Sequence, residues 1–371
     1  MKGIERISAY QFGVLVFFFT TGTSILAVPA ILAEKAGQDA WLAAAAGTLA
    51  GLGIIFLYGL LARCFPRNSL FGAMEWILGR WIGKFIMALF ILVMVNYASS
   101  LLYYSGAFLQ TEMLPNTPMS MLNFLMLATI LIGVFLGLET IARTAEVFIL
   151  VYAVFLFLLF IFLLPAIKIE NIQPVFESGA GTIARASFPL LEVFALNTIT
   201  MLVIYSASTD SEKQAGRSFL IGSAISAAVI ILLTFLCVSI LGGDNTAKQQ
   251  YPGYELAKKI SVGNFIQRVE STISFLWLIT LYFKASIYIY AAILGTARLF
   301  GQRNYRTFIL PLGTIAFLLS LTLYPSIIDF KEWRATTGMT LSIFSGVFVP
   351  LLPASVYLIR RKKLAGREKA G

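Results

Sequence analysis

The stretch Phe17 to Gly37, "FFFTTGTSILAVPAILAEKAG", belongs to an apolar segment long enough to cross a membrane, yet Thr20, Thr21, Gly22, Thr23 and Ser24 fall at its middle and Pro29 follows. These residues are poor helix formers. Within hydrocarbon every backbone N–H and C=O needs an internal partner, so non-helical backbone is tolerated there only where protein buries it or a cavity adjoins it. The stretch therefore reads as a membrane helix interrupted at Gly22, a residue that accepts dihedrals others resist, with neighbouring hydroxyls available to the freed backbone groups. The amides of Thr23, Ser24 and Ile25 would open the second half-helix and offer donors, plus a positive dipole end, to an anion such as a carboxylate. With Thr21 and Gly22 they form the candidate ligand-binding set of this span. A run of small residues also suits a tight crossing between packed helices, and the residues alone leave both readings open.

Composition supports the membrane setting. The 371 residues are 58% hydrophobic and 12% charged, with a mean hydropathy of +0.84, where soluble domains carry about twice that charged fraction. Histidine is absent, which removes His-dependent zinc sites and Ser-His triads. Cys64 and Cys237 are too few and too far apart for a disulfide framework or a metal box. No cofactor, metal or enzymatic activity is expected. The net charge of +10 ends in "LIRRKKLAGREKAG", where Arg360 to Lys363 follow a hydrophobic span, the pattern of a lipid-facing cytoplasmic flank and not of a nucleic-acid surface. The start "MKGIERISAYQFG" lacks a small-residue cleavage site, so the segment from Tyr10 onward reads as a retained span and not a signal peptide.

A transmembrane helix needs roughly 20 apolar residues. That criterion places ten spans, near 10–33, 40–62, 83–110, 122–138 and 144–165, then 180–208, 217–242, 265–297, 307–324 and 338–359. Alternate flanks carry about 18 and about 9 Lys and Arg, and the richer side holds both termini, which should be cytoplasmic. The two halves match in layout. Each opens with an interrupted span, and each has a linker of similar length after its second span, "RCFPRNSLFGAMEWILGRWIGK" and "GGDNTAKQQYPGYELAKKISVG". With five spans per half, the second enters from the opposite face. The expected fold is thus an all-α polytopic membrane protein in one domain: an inverted repeat of about 8–165 and about 179–360, then a basic tail over 360–371.

The second half has its own interruption in "SFPLLEVFALN", Ser187 to Asn197. Pro189 removes a backbone donor and crowds the preceding turn, so a break is expected around Phe188 to Glu192, with Phe188, Leu191 and Glu192 as ligand candidates. An ionisable residue inside a span is costly and hence a functional candidate. Glu192 could hold a proton, face a ligand ammonium, or sit at the interfacial end of its helix. Lys284, in "FLWLITLYFKASIYIYAAIL", lies well over a turn from either end of its run, with Thr280 and Tyr288 on its face. It needs a carboxylate, a ring of carbonyls or a neutral state, in a structural or a coupling role. The reading adopted is that its ammonium bonds carbonyls near Thr20 to Gly22 and does not pair with Glu192. In "MVNYASSLLYYSGAFLQTE", Asn96, Ser99, Ser100, Tyr103 and Gln110 form a polar stripe with Tyr97 and Tyr104 at its edge. It suits helix packing, or a pathway through Asn96, Tyr97, Ser100 and Tyr104.

Over its first sixty residues most of all, the chain resembles the B subunits of bacterial spore germinant receptors, the endospore germination permease family. The resemblance rests on Ile7, Ser8, Gln11 and Phe12, then Gly22, Ser24 and Pro29, then "QDAW" at Gln38 to Trp41. Where that family shows Gly-Phe-Glu in its sixth span, this chain has Leu190, Leu191 and Glu192. What the resemblance implies is a LeuT-like five-plus-five fold of the amino acid, polyamine and organocation superfamily with broken first and sixth helices. It also implies residence in the spore inner membrane, partnership with an A subunit and a lipoprotein C subunit, and the sensing of a small nutrient, often an amino acid. On that reading the ligand's carboxylate meets the Thr23 to Ile25 amides and its amine the carbonyls near Phe188 to Glu192. The alternative is a proton-coupled amino-acid symporter in which Glu192 or Lys284 carries the proton.

Overall fold

The structure is a computed structural model that describes residues 6–63, 69–208, 212–259 and 270–368. The basic side chains at the C-terminal end lie outside the described ones, although the backbone is helical as far as Glu368. Among the described residues there is no β-strand, and nine helices are long and apolar enough to cross a membrane. One of those, Ser24–Ala62, joins the second half of the first span to the whole of the second, and the short apolar helix Ala9–Thr21 supplies the first span's other half. The result is ten spans.

The first span starts with a side-chain cap. Gln11 N–H donates to Ser8 Oγ at 3.1 Å, and Ser8 N–H donates back to Gln11 Oε1 at 2.9 Å, which satisfies two end amides and is worth about 1 kcal/mol. This is what Ser8 and Gln11 do for the fold. Phe12 beside them is fully buried, its ring edge-on to Tyr205 at 5.5 Å. The helix Ala9–Thr21 then stops at Gly22, and Ser24–Ala36 continues with Pro29 inside it. The first span packs along the seventh, Glu212–Leu241, and the eighth, Glu270–Leu299. Crossing the seventh closely requires small residues: a Cβ on Gly222 would sit 2.3 Å from the Gly13 carbonyl oxygen. Against the eighth, Phe18 stacks on Phe283 at 4.6 Å.

The sixth span corrects the expected position of its break. The helix Gly179–Phe194 runs straight through Pro189 and gives way only at Ala195, to tighter turns over Leu196–Met201 before Leu202–Ser208. A proline inside a membrane helix loses a single backbone bond, which its surroundings can absorb. The interruption is therefore a turn later than Phe188 to Glu192. Both linkers contain short helices, Leu70–Leu78 in the first half and Gly243–Lys248 with Pro252–Lys258 in the second.

Two residues of the "QDAW" motif tie the broken spans together at the face opposite Ser8. Asp39, fully buried, accepts from the Phe176 N–H (2.7 Å), the Ser178 N–H (2.9 Å) and the Ser178 Oγ (2.7 Å). Gln38 Nε2 donates to the Pro174 carbonyl and to Glu177 Oε2. Such charge-assisted bonds are the stronger kind, and they fasten the end of the first span to the start of the sixth.

The tenth span begins earlier than hydropathy places it. Helix runs from Ile327 to Tyr357 with wide π turns at Arg334–Gly338 and Phe344–Phe348. Asp329, Lys331, Glu332 and Arg334 depress the hydropathy of its first turns, which is why those turns escape a window based on apolar length.

Candidate functional site

Where the two interrupted spans face each other, a small cavity of about 60 Å³ lies at the centre of the bundle. Thr23, Glu192, Lys284, Tyr97, Ser100 and Tyr104 all line it, so the structure gathers residues from the first, sixth, eighth and third spans as one group. Thr21, Gly22, Ser24, Ile25 and Leu191 do not line it. Phe188 lines a second, larger cavity of about 540 Å³ toward the Asp39 face, together with Lys35, Arg185 and Lys331. Asn96 lines neither, and faces an outer groove among Leu89, Leu341 and Phe344.

Lys284 is 2% exposed. Its ammonium donates to the Val193 carbonyl at 3.4 Å and lies 5.2 Å from the centre of the Phe19 ring. This corrects the expected partner: the carbonyl is at the end of the sixth span's first helix and not at Thr20 to Gly22. The reason is positional. Thr280, one turn earlier on the same face, already donates to the Gly22 carbonyl at 2.9 Å, and the Lys284 stem runs past Gly22 toward the sixth span. A Cβ on Gly22 would stand 2.5 Å from Lys284 Cδ. Among the described residues no ion pair joins Lys284 to Glu192.

Glu192 is buried and accepts from Ser342 Oγ at 3.2 Å on Oε1. Ser342, on the tenth span, also lies 3.2 Å from Asn197 Oδ1 and 2.8 Å from the Tyr97 hydroxyl. A polar cluster thus joins the third, sixth and tenth spans beside the second break. Tyr58, from the second span, bonds the Gly346 carbonyl at 2.5 Å and reaches the Leu196 carbonyl at 3.4 Å. The third-span stripe divides by side: Ser100 meets the Tyr324 hydroxyl at 2.6 Å, and both Ser99 and Ser100 donate to the Asn96 carbonyl.

Residues of the tenth span complete the group, and sequence reasoning missed them. Phe330, Arg334 and Gly338 line the central cavity, and Ser342 and Ser345 continue the same side. Their spacing of four, four, four and three along "FKEWRATTGMTLSIFS" is a helical face, a signal that was present but lay across the assumed start of the span. Four residues, Tyr104, Glu192, Phe330 and Arg334, line both cavities. Tyr104 and Phe330 stack at 5.5 Å with 20° between ring planes, so the partition between the cavities is an aromatic pair flanked by opposite charges. Such an arrangement can enclose a small polar molecule and keep it from the larger cavity.

Comparison with known proteins bears on this geometry. Residues 6–326 match the model of a family described as spore germination protein. Spore germination protein KB of Bacillus subtilis (strain 168) is 28% identical over 322 residues, 86% of this chain and 85% of that protein. Spore germination protein A2 of the same organism is 26% identical, over 81% and 82% of the two chains. Among solved structures, MhsT in complex with L-phenylalanine superposes with a TM-score of 0.69 at 13% identity, over 96% of this chain and 99% of that one. Mhp1, a nucleobase-cation-symport-1 family transporter, also gives 0.69, at 11% identity over 97% and 80%. At those identities the structures establish the fold: that of LeuT-type transporters, five spans plus five, with the first and sixth broken.

Proposed function

This chain belongs to the family of spore germination proteins, a family of permease type, and from that membership we propose that it is a nutrient-sensing subunit of a spore germination receptor. It is a multi-pass membrane protein. On this reading it resides in the spore inner membrane with both termini cytoplasmic and works with A and C subunits of the receptor. The nutrient is a small molecule such as an amino acid, bound at the membrane midplane between the two breaks.

One observation carries the reading: a central cavity in which Glu192 and Lys284 face a space shared by both broken spans. A charge buried at membrane depth is expensive unless something there uses it. A molecule bound between the breaks contacts both halves of the repeat. Its affinity must then differ between conformations that move those halves, and a receptor needs no more than this difference to shift a population. Lys284 contributes by holding the sixth-span carbonyl against the first-span break, steadying one arrangement.

The test separates sensing from accumulation. Purified protein in liposomes should show saturable binding of a small nutrient with little uptake driven by a proton gradient. Gradient-driven accumulation at the turnover of an ordinary carrier would replace the receptor reading with that of a proton-coupled symporter.

A further inference from the structure

Three charged side chains among the described residues line the central cavity, and their bonding differs. Lys284 is engaged by the Val193 carbonyl and the Phe19 ring, with its stem against Gly22. Glu192 accepts one bond, on Oε1 from Ser342, which leaves its other oxygen open. Arg334 has neither a hydrogen bond nor an ion pair among the described residues, although it lines both the central cavity and the larger one.

Arg334 is partly buried, and its planar fork of N–H donors matches a carboxylate in bidentate fashion. The backbone explains how it comes to be there. Arg334 opens the π turn Arg334–Gly338, and such widened turns, which are costly to regular helix bonding, concentrate at functional positions. Glu192 lines the same two cavities, close enough for their charges to act on one another, with no ion pair between them among the described residues. The two leave a gap between a donor fork and a free carboxylate oxygen.

We propose that a zwitterionic α-amino acid fills this gap, its carboxylate on the Arg334 guanidinium and its ammonium on Glu192. The assignment rests on the nutrient-sensing reading of the cavity and names the residues that would recognise the nutrient. It differs from capture of the carboxylate by first-span amides, since only Thr23 of that set lines the cavity. Lys284 is the weaker candidate because its ammonium already serves a carbonyl. Size narrows the class. A central cavity of about 60 Å³, against about 540 Å³ for its neighbour, favours an amino acid with a short side chain, such as glycine or alanine. A longer side chain would have to displace the Tyr104–Phe330 pair toward the larger cavity.

The experiment uses the full-length protein in detergent or nanodiscs. Thermal stabilisation by each of the common amino acids identifies the strongest binder, and its decarboxylated amine and its deaminated acid are then compared with it. The wild type should take the amino acid and reject both analogues, because each leaves one charged partner unpaired. Arg334→Gln should weaken the amino acid by about 10- to 100-fold, the loss expected for a charged hydrogen bond. The amine should change by less than about threefold, within the scatter of a lost neutral contact. Arg334→Lys should recover part of the loss. The midpoint of unliganded Arg334→Gln should stay near that of the wild type, since the guanidinium has no protein partner to lose. Equal affinity of Arg334→Gln and wild type for the amino acid would remove the assignment and leave nutrient sensing standing. So would a wild type that holds the decarboxylated amine as tightly as the amino acid, or a variant weakened equally for both. Failure of every amino acid to stabilise the wild type would take down the assignment and the amino-acid reading together.

Discussion

The two interrupted spans solve the same problem by different means. In the first, helix stops and restarts within Gly22 and Thr23, and the cause is steric. The Lys284 stem occupies the space where a side chain at position 22 would go. In the sixth, α-helix gives way to tighter 3-10 turns over Leu196 to Met201, and groups beside the change find partners on other spans: Lys284 for the Val193 carbonyl, Tyr58 near the Leu196 carbonyl, and Ser342 for the Asn197 side chain. One break is made by what is missing at a residue. The other is held by residues brought from elsewhere.

The comparison predicts unequal responses to substitution, and Gly22 should show the largest. A β-branched side chain there would overlap Lys284 Cδ at 2.5 Å and crowd the Phe19 carbonyl oxygen at 3.0 Å. Overpacking of this kind costs about 1–3 kcal/mol. Gly22→Val should remain in the membrane, melt at lower temperature in detergent, and lose ligand response altogether. Normal ligand binding by a well-expressed Gly22→Val protein would show that the first break is not governed by this contact.

Lys284 links the two breaks, so its loss should be felt at both. Lys284→Met keeps the length and the contact with Gly22 while removing the donor from the Val193 carbonyl. A buried acceptor left unmatched costs about 1–3 kcal/mol. The expected outcome is a shifted threshold or a lost ligand response, with folding retained. An unchanged response curve would mean that the bond to the sixth span does not set the conformational balance.

This contrast also explains how far the sequence could be read. The Thr-Gly-Thr-Ser cluster announces the first break because the residues that permit it, Gly22 and the hydroxyls beside it, are contiguous in sequence. The alternation of apolar runs and charged flanks gives the ten spans for the same reason, since bilayer thickness acts on each helix by itself. Pro189 misplaced the second break because a proline marks where one bond is lost, while the actual interruption depends on Tyr58, Lys284 and Ser342, distant in sequence. Arg334 was lost in a similar way. Its neighbours Asp329, Lys331 and Glu332 make the start of the tenth span look like a loop, and the packing of Phe330 on Tyr103, Tyr104 and Tyr324 orders that segment beside the cavity.

Tyr58 offers a smaller and more selective perturbation. Tyr58→Phe removes the hydroxyl from the Gly346 and Leu196 carbonyls with no change in ring packing, at a cost of about 1–2 kcal/mol. Amide hydrogen exchange should quicken over residues 195–201 while residues 20–25 keep their protection. Equal loosening at both places would mean that the breaks form a single cooperative unit and that the distinction drawn between them is false.

Pro189 should matter least, and that expectation tests where the second break lies. The helix passes through Pro189 with bonding restored by Ala195, whose N–H donates to the Leu191 carbonyl at 2.9 Å. The proline therefore removes one backbone donor and nothing that holds Leu196 to Met201 in place. Pro189→Ala returns that donor at a position already helical, and its stability should change by less than about 1 kcal/mol, as for substitutions away from cavities and buried networks. Ligand affinity should also stay close to the wild-type value, because Pro189 faces the larger cavity and not the central one. If Pro189→Ala instead abolishes the response while the protein remains folded, the proline itself shapes the functional break. The division of labour between a steric first break and a partner-held sixth would then have to be redrawn around residue 189.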